Sequence, residues 1–297
     1  MITVEALTKT YGDRRAVDDL SFEVRPGRVT GFVGPNGSGK STTMRMMVGL
    51  TRPDAGSVLY DGASYHRLDR PVATVGVALD ASAHPGRSAR NHLRTLCAAS
   101  GLSSSRVDEV LGEVGITTVA DQRVGGFSLG MRQRLALAGA LLGEPETLLL
   151  DEPANGLDPD GIRWLRSYLR GYADRGGAVF VSSHLIAELA LFADDLVVIG
   201  AGRLLAAAPL HQIVDTAERS VLVETEQRNE LIALLRDRGA TVTDAGDRVS
   251  ISGTSRAAVA QLALDHHIRL DELVDQQASL EDLLVDLTSN DAEFTSA

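Results

Sequence analysis

Cysteine and long apolar runs are nearly missing from this sequence of 297 residues. Its single cysteine, Cys97, excludes an intramolecular disulfide and is typical of proteins of the reducing cytosol. No apolar stretch approaches the ~18 residues that a membrane-spanning helix needs, and the N-terminal "MITVEALTKT" lacks the pattern of a signal peptide. We therefore expect a soluble chain that reaches a membrane only through a partner.

Aromatic residues and lysines are scarce as well. Aromatics make up 4% of the chain, too few for an extended base-stacking surface, and the formal net charge of −11 disfavours broad nucleic-acid binding. We expect no nucleic-acid partner, although these numbers leave room for a local basic groove. Only Lys9 and Lys40 are lysines, and Lys40 lies in "GSGKS", where a compact ammonium fits and a planar guanidinium does not.

Predicted strands alternate with predicted helices through the first part of the chain. This alternation indicates an α/β fold with a mostly parallel sheet, whose functional side lies at the carboxyl ends of the strands. Ahead of it, "ITVEAL" and "DLSFEV" predict an antiparallel β-hairpin joined through "TKTYGDRRAV". A run of helices over about 85–145 predicts an inserted helical subdomain. We place this first domain at 1–208.

The pattern changes after residue 208, where the predicted order becomes β-α-β-β-α-β. This is the split βαβ (ferredoxin-like) arrangement of a small α+β domain. We expect this accessory domain over 209–288, closed by a helix "SLEDLLVDLT" that Ser279 caps, and a disordered tail over 289–297. Its adjacent His266 and His267 have no further ligands nearby and predict no metal site.

A glycine-rich segment carries the strongest chemical signal. "GPNGSGKS" at 34–41 fits the pattern G-x-x-x-x-G-K-[ST] and lies between a predicted strand, "RVTGFVG", and a predicted helix, "STTMRMMVGL". Backbone N–H groups of such a loop wrap phosphates, its lysine reaches the β- and γ-phosphates, and its serine hydroxyl binds Mg²⁺. The predicted nucleotide site consists of Gly34, Pro35, Asn36, Gly37, Ser38, Gly39, Lys40, Ser41 and Thr42.

Acids and a histidine follow two later strands. "TLLLDEP" at 147–153 is a predicted buried strand, after which we expect Asp151 to lie beside Ser41 and a metal ion. Glu152 suits a general base or a group that positions the attacking water. The alternative is a strand-end turn with solvated acids. His184 ends the strand "VFVSSH" and is predicted to contact the γ-phosphate or the water, with a purely structural histidine as the alternative.

Two more features suit a nucleotide site. "FSLGMRQR" at 127–134 predicts a helix start, where Ser128 caps the helix and Gly130 lets an anion approach the backbone. Tyr11 lies in a predicted loop and has a ring face that can stack on adenine. Taken alone, Tyr11 is as well explained by surface packing.

The order "Tyr11 … GPNGSGKST … SLGMRQR … LLLDEPANGLDP … VSSH" resembles that of the ATP-binding cassette (ABC) ATPases, the motor subunits of ABC transporters. The resemblance covers residues 1 to about 207. It implies ATP hydrolysis with Mg²⁺, in which Tyr11 stacks on adenine, Glu152 is the catalytic carboxylate and His184 is the switch histidine.

The same resemblance implies a homodimer with ATP at its interface. Each ATP lies between the Walker A loop (34–42) of one subunit and the signature motif (127–131) of the other. "NGLDP" at 155–159 becomes the D-loop, which places Asp158 at the subunit boundary. The resemblance also implies that the dimer works with a separate membrane permease, on the cytoplasmic face of the membrane.

The sequence departs from the family pattern in two places. The family places a glutamine that contacts Mg²⁺ between the Walker A helix and the signature motif, but no glutamine occurs between 42 and 121. Asp80 is the best match, and we expect it near the Mg²⁺; the alternative is a turn residue. Met131 stands where the signature motif usually ends in glutamine, and we expect activity to survive because Ser128 and Gly130 are intact.

The motif style resembles the subgroup that serves ABC-2 type exporters, including those of drugs and antibiotics. One alternative is an ABC ATPase that does not transport and acts with nucleic acid or ribosomes. Others are a small-molecule P-loop kinase and a binding-only, degenerate cassette. The signature motif and His184 disfavour the kinase, and the intact Glu152 and His184 favour hydrolysis.

Overall fold

The computed structural model describes residues 1–216, 219–246 and 248–277. Within them the chain forms two compact units, the first comprising Met1–Leu210 and the second beginning at His211. The predicted closing helix with Ser279 and the predicted tail over 289–297 lie outside the described residues.

The first unit contains two sheets. An antiparallel sheet has the order β2-β1-β4-β5, and a six-stranded sheet has the order β10-β9-β3-β8-β7-β6. In the larger sheet all strands are parallel except β10, which runs antiparallel to β9 at the edge. The strands are β1 (Ile2–Tyr11), β2 (Arg14–Val24), β3 (Val29–Val33), β4 (Ala55–Tyr60), β5 (Ala63–Ser64), β6 (Val75–Ala78), β7 (Thr147–Leu150), β8 (Ala178–Ser183), β9 (Asp195–Gly200) and β10 (Arg203–Pro209).

Helices cover this sheet and build the inserted subdomain. Of these, α3 to α5 fall within the predicted helical segment. The helices are α1 (Lys40–Met47), α2 (Pro71–Thr74), α3 (Ala89–Ala99), α4 (Arg106–Glu113), α5 (Leu129–Leu141), α6 (Pro159–Asp174) and α7 (Ile186–Ala190). The next helix, α8 (Leu210–Thr216), lies in the second unit from its second residue onward.

The two sheets share one hydrophobic core. Phe32 and Phe180, on neighbouring parallel strands, stack with ring centroids 5.0 Å apart, and Phe22 of β2 lies 5.4 Å from Phe180. All three side chains are buried, and burial of a phenylalanine contributes roughly 1.5–3 kcal/mol to folding. This core holds the central strands rigidly below the loops that leave their carboxyl ends.

The β-hairpin is confirmed, but the long connecting loop predicted for it is wrong. The strands continue to Tyr11 and resume at Arg14, so only Gly12 and Asp13 turn, with Gly12 at φ 57°. The ladder between the two strands shifts register three times, between Val4 and Leu7, between Leu7 and Lys9, and between Lys9 and Thr10. Such bulges interrupt the two-residue periodicity, which is why the sequence pattern ends before the strand does.

The second unit is a four-stranded antiparallel sheet with the order β12-β13-β11-β14. Two helices pack on it, and the core includes Val223, Leu231, Ile251 and Val259. Its elements are β11 (Arg219–Glu224), α9 (Arg228–Asp237), β12 (Thr241–Ala245), β13 (Arg248–Ser252), α10 (Arg256–Asp265) and β14 (Glu272–Gln277). The predicted fold class, a mostly parallel α/β unit with an antiparallel subdomain followed by a split βαβ unit, is confirmed.

Candidate functional site

Four adjacent parallel strands deliver the predicted site residues to one edge of the large sheet. The strands β3, β8, β7 and β6 lie side by side and parallel, so their carboxyl ends meet there. The glycine loop follows β3, Asp151 and Glu152 follow β7, His184 follows β8, and Asp80 lies two residues after β6.

The glycine loop owes its shape to close backbone approaches. Gly39 has φ 107°, and a Cβ there would lie 2.5 Å from the Ala16 carbonyl oxygen. A Cβ at Gly34 would lie 2.4 Å from the carbonyl oxygen of Ile199. Neither position accepts a side chain, so the loop bends tightly from β3 into α1, whose first-turn N–H groups remain available for an anion.

Lys40 is buried inside this loop. Its Nζ donates to the carbonyl oxygens of Gly34 at 2.5 Å and Pro35 at 3.2 Å, and lies 3.9 Å from Glu152 Oε1. Burial lowers the pKa of Lys40, and the charges of Glu152 and Asp151 oppose that shift. The loop carbonyls therefore orient the Lys40 ammonium group within the loop, and its contact with phosphates stays a prediction.

The acids after β7 and the end of β8 form one hydrogen-bonded cluster. Ser182 Oγ donates to Asp151 Oδ1 at 2.5 Å and accepts the backbone N–H of Glu152 at 2.8 Å. His184 Nδ1 lies 2.9 Å from Glu152 Oε2. Glu152 itself has φ 48°, a left-handed backbone that is uncommon outside glycine. Ser182 is not predictable from the sequence, since a serine near a strand end carries no signal of its own.

The donor atoms present suit Mg²⁺ bound together with a nucleotide. Among the described residues, no group of three or more histidine, cysteine or acidic side chains could hold a metal ion alone. Mg²⁺ is usually bound by one or two carboxylates, water and substrate phosphates rather than by an all-protein cage. Asp151 and the exposed hydroxyl of Ser41 are hard oxygen ligands of the kind that such a shared site needs.

The signature segment forms a capped helix start. Ser128 Oγ accepts the N–H of Met131 at 3.2 Å, and a Cβ at Gly130 would lie 3.0 Å from the Gly156 carbonyl oxygen. The motif thus packs against the D-loop of its own chain. Within the part of the chain that the structure describes, no hydrogen bond or ion pair joins Ser128 to residues 34–42.

Asp158 also caps a helix. Its Oδ1 accepts the N–H of Gly161 at 2.7 Å, and Pro159 follows as the first residue of α6. The aspartate is exposed, so it stays accessible to a second molecule. Its predicted place at a subunit boundary is not tested by a single chain and stays a prediction.

Tyr11 is the last residue of β1, with 52% of its surface exposed. It pairs across the hairpin with Arg14, whose Nη2 donates to the carbonyl oxygen of Gly37 at 3.0 Å. This bond connects the hairpin that bears the exposed ring with the glycine loop. Arg14 was missed because it lies in a charged stretch, "DRR", that looks like ordinary solvated surface.

Asp80 lies at the same sheet edge as the acids but in a turn. The N–H of Asp151 donates to the carbonyl oxygen of Ala78 at 2.9 Å, which fixes the two segments side by side. Asp80 Oδ1 accepts the N–H of Ser82 at 2.7 Å and also its hydroxyl. These hydrogen bonds lower the pKa of Asp80, and the charge of Arg45 adds to the shift. The turn geometry is therefore present, and the metal contact stays a prediction.

Comparison with known proteins gives consistent matches over both units. A family model described as "ABC transporter" matches residues 17–155, and a domain of unknown function, DUF8746, matches residues 219–281. The ABC transporter ATP-binding protein YhcH of Bacillus subtilis (strain 168) is 34% identical over 99% of this chain and 97% of its own.

Two further matches each cover more than two thirds of the chain. The bacitracin transport ATP-binding protein BcrA of Bacillus licheniformis is 34% identical over 79% of this chain and 78% of its own. A solved structure of the ATP-binding subunit of an ABC transporter has a TM-score of 0.65 and 27% identity, and covers 72% of this chain and 92% of that one.

Proposed function

The chain belongs to the family of ABC transporter ATP-binding proteins, and from this premise we propose that it powers a separate membrane permease of the ABC-2 exporter type. As a member of this family it is an ATPase. Similarity to a bacitracin transport subunit supports a drug, antibiotic or lipid-like molecule as the exported substrate.

The observation that carries the proposal is the cluster at the sheet edge. Three groups follow adjacent strands of the sheet. They are a glycine loop with a buried lysine, a carboxylate suited to Mg²⁺, and a second carboxylate that is bonded to a histidine. Phosphoryl transfer needs alignment and charge neutralisation more than covalent chemistry, and these groups supply both.

Each residue has a defined task in this proposal. Lys40 binds the β- and γ-phosphates, and Asp151 and Ser41 hold the Mg²⁺, which neutralises phosphate charge when it is bound. Glu152 accepts a hydrogen bond from the attacking water and takes its proton at a carboxylate oxygen. His184 orients Glu152 through the bond from Nδ1 and contacts the γ-phosphate. Tyr11 stacks on the adenine.

A second copy of the chain completes the site. We assign Ser128 and Gly130 of one copy to the γ-phosphate of the ATP held by the Walker A loop of the other, with Asp158 at the boundary. The capped start of α5 supports this assignment, because helix N-termini favour anions. Hydrolysis then depends on closure of the dimer, which a permease can use as a power stroke.

The permease supplies the membrane-spanning part. No described helix of this chain combines the length and the apolar character that crossing a bilayer requires. In this proposal the chain acts at the cytoplasmic face of the membrane, through contacts with the permease.

A Glu152→Gln variant tests the ATP-driven dimer. Loss of the catalytic carboxylate should stop hydrolysis while leaving the phosphates bound, so the variant should elute as a stable dimer with ATP in size-exclusion chromatography. Glu146→Gln makes the same charge change at the opposite end of the β7 strand, on an exposed side chain, and should behave as the unchanged protein. A Glu152→Gln chain that stays monomeric with ATP contradicts the shared site.

Affinity purification from membranes of the native host tests the transport function. The proposal expects an integral-membrane protein to co-purify in a nucleotide-dependent manner. Co-purification with ribosomes or DNA and with no membrane protein would assign the chain to the ABC ATPases that do not transport.

A further inference from the structure

We infer that Ser182 is a positioning residue that holds the metal-binding carboxylate and the catalytic carboxylate in one arrangement. Ser182 is fully buried near the end of β8, and its hydroxyl reaches two consecutive residues beyond the end of β7. The inference rests on the tasks proposed above for Asp151 and Glu152.

The directions of the two hydrogen bonds follow from the atoms involved. The backbone N–H of Glu152 can only donate, so Ser182 Oγ must accept there, at 2.8 Å. The single hydroxyl proton is then directed to Asp151 Oδ1, at 2.5 Å. This bond engages Oδ1 of Asp151, and the carboxylate would hold a Mg²⁺ ion through its remaining acceptor capacity.

The bond to the Glu152 amide also supports an unusual backbone. Glu152 has φ 48°, a conformation that costs a non-glycine residue energy and persists only when its surroundings hold it. This conformation turns the Glu152 side chain to His184, 2.9 Å from its Nδ1. The Ser182 hydroxyl thus joins Asp151 directly to the backbone of Glu152, and His184 joins the same cluster through the Glu152 carboxylate.

Removal of this hydroxyl should loosen the site without removing any group that touches ATP or the metal ion. The Glu152 amide would lose its partner, and Asp151 would lose the donor that orients it. Loss of a partner that orients a metal ligand typically costs 10–100-fold in metal affinity or activity. We expect an effect of that size from Ser182→Ala.

The control is a second buried hydroxyl of the same sheet. Thr30 lies on the neighbouring strand β3, has the same burial, and its Oγ1 has no hydrogen-bond partner. Thr30→Val removes a hydroxyl without removing a hydrogen bond, and should leave all the measurements below unchanged.

Three measurements on the full chain test the inference. In the nucleotide-free protein, hydrogen exchange at the Glu152 amide, followed by NMR, should be about fivefold faster in Ser182→Ala. With AMP-PNP present, the affinity for Mn²⁺, read from the electron paramagnetic resonance signal of the free ion, should fall roughly tenfold or more. The kcat for ATP should fall by a similar factor, while binding of AMP-PNP without metal stays unchanged.

The outcomes separate this inference from the proposed function. If the unchanged protein fails to bind Mn²⁺ with AMP-PNP, the site assignments fail. If it binds and Ser182→Ala shows the same amide exchange and Mn²⁺ affinity, the positioning task of Ser182 is refuted. Should the alanine variant not fold, Ser182→Cys fills the site with a slightly larger and much weaker hydrogen-bonding group, and the same readouts decide.

Discussion

Replacing Ser128 by arginine tests whether the start of α5 serves an ATP bound by another copy of the chain. The chain offers a matched position, because Ser255 caps α10 in the second unit with the same geometry. Each hydroxyl accepts the N–H of the third helical residue at 3.2 Å, and both serines are exposed. Ser255→Arg therefore repeats the loss of the cap and the gain of charge away from any nucleotide.

The two substitutions should lower the free energy of unfolding by the same amount and differ only in their effect on ATP turnover. Loss of a serine cap costs about 1 kcal/mol, equivalent to roughly a fivefold change in the folded-to-unfolded ratio of the unit concerned. Loss of one preorganised donor to developing charge lowers a rate about 10²–10³-fold. In addition, a bulky cation at this surface blocks closure. Turnover by Ser128→Arg should thus fall at least about a hundredfold.

Steady-state ATPase rates, fluorescent-nucleotide binding and urea unfolding together decide the outcome. Ser128→Arg should bind nucleotide as a monomer with unchanged affinity and lose turnover. Ser255→Arg should keep both nucleotide binding and ATP turnover. An active Ser128→Arg chain would refute the shared site. Equal loss of turnover in the two variants would show that the effect comes from the helix cap or the added charge.

Two further predictions concern the sheet edge and alkaline stability. Asp80→Ala should raise the Mg²⁺ concentration that gives half-maximal ATPase activity. Asp80→Asn can keep the turn but lacks the charge, and it should raise this concentration as well. An unchanged Mg²⁺ dependence in both variants would leave Asp80 as a turn residue. Burial raises the pKa of Tyr172 to about 12 from 10.0, so its neutral form stabilises the fold below pH ~10 and this stabilisation is lost as the pH rises toward 12. Between these pH values the urea midpoint of unfolding should fall less in Tyr172→Phe than in the unchanged protein. An equal fall of the midpoint with pH in both proteins would show that ionisation of Tyr172 does not cause the loss of stability.

Much of the site is predictable because its signals are local. The glycine loop follows from φ values and close approaches that only glycine accepts, and the sequence shows those glycines directly. Alternation of apolar strands with helices predicts a parallel sheet, and parallel strands bring their carboxyl ends to one edge. The placement of Asp151, Glu152 and His184 beside Lys40 follows from these two facts.

Contacts between distant segments are not predictable in this way. Ser182 lies 31 residues from Asp151, and its hydroxyl finds that carboxylate only because β8 and β7 pair in one particular register. Arg14 reaches Gly37 from the end of a hairpin whose pairing shifts register three times and continues further than its periodicity indicates. Each of these contacts depends on the register of strand pairing, because a one-residue shift would turn the side chains of a strand to the other face of the sheet.

The sequence by itself determined the kind of site and the class of protein. Residue type and spacing predict a phosphate loop, two acids and a capped helix start, since each is a short segment whose chemistry is set by its own backbone and side chains. Only the tertiary structure decided how these segments are held. The bond from His184 to Glu152, the hydroxyl of Ser182 between two acids, and the tie from Arg14 to the loop exist because packed strands bring side chains within about 3 Å across long sequence separations.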